Sequence, residues 1–249
     1  MLDHYNAIYL APHLDDVALS CGGQVFQRTQ TGQSVLVVTA TAGNPPDAEF
    51  SAYAQGQHAG WQLVVDTVAQ RRQEDIRACS LLGADWLHWD VPDCIYRRHP
   101  ITGETFYNSD AELFGVVHSA EMPLINILAQ RMLELPSADA VFAPLGLGDH
   151  VDHQLIRQAA LGAFGNRLHF YEDYPYIQRH GAASRVGKVD AGWACDLVEI
   201  SAEAHQTKVE AISAYNSQLS TLFGSKEAMK AQVDAFNAEN GGECIWKQA

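Results

Sequence analysis

The chain has 249 residues, 47% of them apolar, enough for one large α/β domain with a substantial core. Sixteen basic against thirty acidic residues give a formal charge of −14, which argues against a nucleic-acid backbone as main partner because no basic surplus exists to displace counterions. No apolar stretch approaches membrane-spanning length, and no basic region followed by an apolar run marks a signal peptide. The cysteines (Cys21, Cys79, Cys94, Cys195 and Cys244) are odd in number and scattered, with no Cys-x-x-Cys pair. That pattern predicts reduced thiols in a cytoplasmic protein rather than a disulfide framework.

Strand and helix signals alternate along the chain. Ala7–Pro12 reads as a strand, and Asp15–Gln30 as a helix closing near Gly32. Ser34–Ala42, rich in β-branched residues, reads as a fully buried strand. Gly43–Trp61 is loop-like. Asp66–Leu82 has helical periodicity and stops at Gly83; Ala84–Asp90 is strand-like. Residues 92–121, with Tyr96, Arg97, Arg98, Phe106, Tyr107 and Phe114, show weak periodicity. A loop of that length inside one domain is usually functional, here a substrate-capping insertion. Leu124–Leu135 reads as helix, Ala138–Pro144 as strand, and Asp149 to about Phe164 as helix. Leu168–Tyr174 is a further strand, Ala202–Tyr215 a helix, and the end from Ser225 a helix plus a tail. This alternation predicts a Rossmann-like, doubly wound, mostly parallel sheet with helices on both faces. No composition break or repeat divides it, so residues 1–249 read as a single domain.

Two clusters stand at strand-to-helix junctions. The first is His13-Leu-Asp15-Asp16, followed by Gly22-Gly23; the second is His150-Val-Asp152-His153. In a parallel sheet both junctions point to the same carboxyl edge, so the clusters can meet. His13, Asp16 and His153 would make a two-His, one-carboxylate site with an open position for water. Either cluster alone is equally explained by ordinary capping, with Asp15 and Asp149 as N-caps. The residues themselves do not say which of Asp15 and Asp16 binds a metal.

The first segment resembles the His-Pro-Asp-Asp-Glu…Gly-Gly signature of the PIG-L/LmbE superfamily of zinc-dependent N-acetylglucosaminyl deacetylases, and the second resembles its His-x-Asp-His element. Arg71-x-x-Glu74 before Leu82-Gly83, and Asp93 after the next strand, extend the likeness. The resemblance implies zinc, or another divalent metal such as Fe2+, on His13, Asp16 and His153, with Asp15 as general base. It implies a protonated His150 as oxyanion stabiliser or general acid, and Asp152 orienting an imidazole. Leu14 and Val17 depart from the common pattern without touching a proposed ligand. Some members carry a carbonyl-polarising Tyr two residues before the first His of the second element. Gly148 stands there in this chain, which leaves Tyr96, Tyr107 or Tyr171 as candidate replacements.

The implied reaction is hydrolysis of the N-acetyl group of an N-acetylglucosamine-containing small molecule or glycoconjugate. Arg71, Asp93, Arg97 and Tyr171 are the candidate substrate-binding residues. The Arg71 spacing fits a helix-surface ion pair with Glu74 or Asp75 equally well, and Tyr171 fits strand-end packing. A homo-oligomer is compatible with the sequence, and neither a nucleic acid nor a membrane is implied as partner. Two other functions compete: an amidase cleaving a larger acyl group from a glucosamine conjugate, and a non-catalytic sugar- or nucleotide-binding module. The glycines match neither dinucleotide nor P-loop spacing. Cys21 reads as a small packed residue, and His88, His118 and His169 fall in no pattern.

Overall fold

The computed structural model describes residues 1–61, 67–181, 185 and 187–248. Strands β1 (His4–Ala11), β2 (Val35–Thr39), β3 (Asp85–His88), β4 (Ser137–Pro144) and β5 (Leu168–Tyr171) are parallel. Two further strands, β6 (Trp193–Glu199) and β7 (Gly242–Gln248), add antiparallel pairs, and the sheet order is β3-β2-β1-β4-β5-β7-β6. The chain winds outward from β1 through β2 to β3, then restarts at β4 on the other side of β1. The carboxyl ends of β1 and β4 therefore flank the crevice where a doubly wound sheet holds its ligands.

Alternation along β1 builds the two faces. Ile8 and Leu10, with Leu36 and Val38 of β2, pack under helices α5 (Met122–Leu133) and α6 (Val151–Phe164). Ala7, Tyr9 and Ala11 face α1 (Asp16–Gln30), α3 (Thr67–Leu82) and α8 (Ala202–Ser213). Each fully buried Leu or Ile contributes about 1.5–3 kcal/mol, so the sheet centre is where the fold is strongest. The sequence-based start of α3 at Asp66 falls outside the described residues.

The fold differs from the sequence reading in several places. Gly43–Trp61 contains α2 (Ala52–Gly60), started by the Ser51 side chain accepting from Ala54 N–H. The C-terminal tail is β7, an inner strand, and Trp193–Glu199 is the edge strand beside it. The expectation of five reduced thiols is also overturned. The β6–β7 pairing brings Cys195 and Cys244 to a Cα separation of 6.2 Å, where they form a disulfide, and Cys21, Cys79 and Cys94 stay free and buried. Neither cysteine has a sequence-local partner; only the sheet creates the pair.

Residues 92–121 form a packed cover rather than an open loop. A one-turn helix, Cys94–Tyr96, and α4 (Asp110–Leu113) lie in it. Ile95, Tyr96, Tyr107 and Leu113 bury against Ala54 and Trp61 on one side and Val151 and Leu155 of α6 on the other. Helices α7 (Tyr176–His180), α9 (Asn216–Phe223) and α10 (Lys226–Asn240) complete the described chain. Among the described residues no helix is long and apolar enough to cross a membrane.

Candidate metal and catalytic site

The end of β1 delivers His13, and the first turn of α1 delivers Asp15 and Asp16. Neither aspartate caps the helix in the ordinary way: Asp15, at the N-cap position, makes no capping hydrogen bond. Asp16 Oδ2 instead accepts from the backbone N–H of His13 at 2.7 Å, folding its carboxylate back over the strand end. At the second junction the N-cap is His150, whose Nδ1 accepts from Asp152 N–H at 3.2 Å. Asp149 is not the cap. Its φ of 59° lies in the left-handed region that Asp tolerates, and its carboxylate takes Lys188 Nζ at 2.7 Å.

The two clusters meet. His13 Nδ1 lies 3.3 Å from Asp16 Oδ2, and His153 Nε2 lies 3.3 Å from Asp16 Oδ1. Neither contact has hydrogen-bond geometry, and His153 Nε2 is a buried nitrogen with no hydrogen-bond partner. The opposite ring nitrogens are both engaged by carboxylates: His13 Nε2 by Asp152 at 3.1 Å and His153 Nδ1 by Asp173 at 2.6 Å. Asp152 and Asp173 accept the ring protons, so the remaining lone pairs turn toward Asp16. Two N or O donors bound tetrahedrally at roughly 2.0–2.1 Å from a common centre stand about 3.3–3.4 Å apart. The trio thus has the composition for a divalent cation, with each imidazole at that distance from one of the two Asp16 oxygens. Donor atoms of His13, His150 and His153 also lie within 4.8 Å of one another. His150, however, spends Nδ1 on capping α6, so Asp16 is the better third donor.

Electrostatics separates the acids. Burial opposes charge on Asp16, but His153 and His13 outweigh it and hold the carboxyl well below its ordinary range. Asp15 lacks such partners. Burial, and next the Asp16 charge, push it up to about 6. Burial holds His150 well below its usual value. With Nδ1 accepting from Asp152 N–H, Nε2 is the ring nitrogen left to donate.

A cleft of about 290 Å3 opens over this cluster, lined among others by Asp15, Arg71, Asp93, Phe114, His150 and Tyr176. Arg71 reaches it from α3. The residue is 7% exposed; its guanidinium makes no hydrogen bond among the described residues and lies 4.0 Å from Asp15, 3.9 Å from Asp93 and over the Trp61 ring. It is therefore not the surface ion pair with Glu74 that its spacing also allowed; Glu74 accepts from Ser217 instead.

Arg97 and Tyr171 are not in the cleft. The Arg97 guanidinium is buried between Glu121, which Tyr107 also bonds, and Asp152 Oδ1, which it meets at 2.6 Å. The Tyr171 hydroxyl donates to Leu10 C=O at 2.8 Å beneath the sheet edge. Tyr96 and Tyr107 are likewise engaged, with His58 and Glu121. The segment Tyr171–Tyr176 does reach the site, but through Asp173 and Tyr176 rather than Tyr171. Asp173 Oδ2 also accepts from Gly146 and Leu147 N–H at 2.7 and 2.8 Å, tying the turn after β4 to the end of β5. Its position two residues past a third parallel strand was the available signal.

Fold and site together define an α/β protein with a buried histidine–carboxylate cluster at the switch point of its sheet. Residues 8–164 match the GlcNAc-PI de-N-acetylase (PIG-L) family, and the chain belongs to that family. It is 28% identical to the 2'-N-acetylparomamine deacetylase of Niallia circulans over 97% of this chain and 90% of that protein. It is 32% identical to the enzyme of that name from Streptomyces fradiae over 70% of this chain and 59% of that one. The solved structure of the zinc inhibited form of teicoplanin deacetylase Orf2 superposes with a TM-score of 0.82 at 28% identity, covering 96% of both chains.

Proposed function

We propose that the protein is a zinc-dependent N-deacetylase that removes the acetyl group from an amino sugar within a small molecule or glycoconjugate. The observation that carries this reading is the pair of imidazole lone pairs, each 3.3 Å from one oxygen of Asp16, beside a second carboxylate that stays free. His13, Asp16 and His153 would hold the metal. When bound, the cation acidifies a water molecule and polarises an amide carbonyl.

Asp15 takes the proton of the attacking water as the C–O bond forms. A carboxyl shifted toward neutrality suits this step, because it can hold the proton and then release it. The neutral His150, with its proton on Nε2, donates a hydrogen bond to the developing oxyanion. The C–N bond breaks with transfer of the Asp15 proton to the leaving nitrogen, giving acetate and a free amine. Asp152 positions His13 and Asp173 positions His153. Arg71, with unused donors, and Asp93, with an oxygen turned toward the cleft, match sugar hydroxyls. Two relatives are named 2'-N-acetylparomamine deacetylases, which supports an acetylated amino sugar joined to a larger scaffold.

The test pairs zinc analysis with acetate release over a panel of N-acetylglucosaminides. Asp15→Ala should keep one zinc per chain and lose about 10²–10⁴-fold in kcat. Full turnover in that variant would remove Asp15 as base, and a metal-free, inactive wild type would remove the reading itself.

A further inference from the structure

The cleft is chemically two-sided. On the Asp15 side stand Arg71, over the Trp61 ring and with no hydrogen-bond partner among the described residues, and Asp93, whose Oδ1 accepts from Ile95 N–H and Cys94 Sγ while its Oδ2 is left for a ligand. On the α6 side stand two aromatic rings. Phe114 meets His150 edge-on at 5.4 Å, and Tyr176 meets His153 at 5.5 Å and Phe114 at 5.9 Å. Resting on the deacetylase reading, the scissile amide must lie over Asp15, Asp16 and the histidines, with its sugar on one side and its acyl chain on the other. Sugar hydroxyls satisfy Arg71 and Asp93. An acyl chain placed there would strip water from both and return no hydrogen bond. The acyl chain therefore goes to the rings.

Those rings cannot retreat. Gly148 has a φ of +80°, and a Cβ on it would stand 2.7 Å from Tyr176 ring carbons, so the ring already lies against the turn backbone. His153 and Phe114 hold it from two other directions. Phe114 is partly exposed at the cleft rim, 39% accessible, and closes the outer end. A cleft of about 290 Å3 sits at the small end of ligand sites, roughly 300–1,000 Å3, which leaves little depth beyond one sugar.

We propose that Phe114 and Tyr176 form the acyl pocket of this enzyme and restrict it to acetyl by blocking longer chains. A single methylene too many in a fitted pocket changes kcat/KM by about 10–200-fold. The test compares methyl glycosides of N-acetyl-, N-butanoyl- and N-hexanoylglucosamine, read by the amine released, with folding checked by circular dichroism. Wild type should prefer acetyl to hexanoyl by at least about 100-fold. Phe114→Ala and Tyr176→Ala should each raise the hexanoyl-to-acetyl ratio at least about tenfold, while Tyr176→Phe, which keeps the ring, should hold the wild-type ratio. The rim position of Phe114 keeps the test decisive should Tyr176→Ala fail to fold. A wild-type ratio near one, or a wild-type ratio retained in folded Phe114→Ala, overturns the proposal and leaves the deacetylase reading standing. Absence of amine release from every wild-type assay would instead overturn the deacetylase reading.

Discussion

At His153 a single carboxylate decides which nitrogen is free. Asp173 accepts the Nδ1 proton at 2.6 Å, and Nε2 is left aimed at Asp16 with no hydrogen-bond partner. Asp173→Asn offers an amide N–H to that ring and favours the wrong tautomer. Metal affinity should fall about 10–100-fold by chelator competition, with the fold intact because an oxygen remains for Gly146 and Leu147. Unchanged affinity would show that the tautomer is set elsewhere. Asp15 and Asp16 illustrate the same point in reverse. Adjacent in sequence and both buried, they are driven apart because only Asp16 touches the two imidazoles.

At the scale of elements, two connections hold the periphery to the sheet. The cover over residues 92–121 hangs on Arg97, whose guanidinium is buried between Glu121 and Asp152. Arg97→Met would leave two buried carboxylates uncompensated and should destabilise by about 3–5 kcal/mol in urea titration. A loss under 1 kcal/mol would mean that solvent reaches the pair. The disulfide between β6 and β7 closes a long loop carrying α8, α9 and α10. Replacing Cys195 and Cys244 together by Ala should lower stability by about 2–4 kcal/mol, with zinc content unchanged because neither cysteine lines the cleft over the ligand cluster. Lost zinc binding would reveal coupling between that edge and the site.

At the scale of the whole molecule, the proposed metal joins two halves of the fold: His13 and Asp16 come from β1 and α1, and His153 from α6. Zinc at a hundred times its dissociation constant should stabilise the folded chain by about 2.7 kcal/mol. For a domain of this size that is roughly 5–10 °C in Tm. The shift should vanish with EDTA and in His153→Ala; an equal shift in that variant would place the cation elsewhere.

The sequence by itself determined the central parallel strands, since β1, β2 and the carboxyl half of β4 are buried and their apolar runs declare it. It also determined the two clusters, because polar residues right after such strands have only the carboxyl edge of the sheet to occupy. It did not determine β7, whose apolar run of Cys244, Ile245 and Trp246 is too short to show a period and becomes a strand only by pairing with β5 and β6. Arg97 carried the same charge and aromatic context as a substrate residue, and only packing showed that Glu121 and Asp152 consume it. Tyr176 and Gly148, 28 positions apart, share one space in the fold. Distances across the sheet edge set which nitrogen faces Asp16, which tyrosine reaches the cleft and which cysteines bond. Local sequence supplies those groups; the chain reversal between β1 and β4 decides their partners.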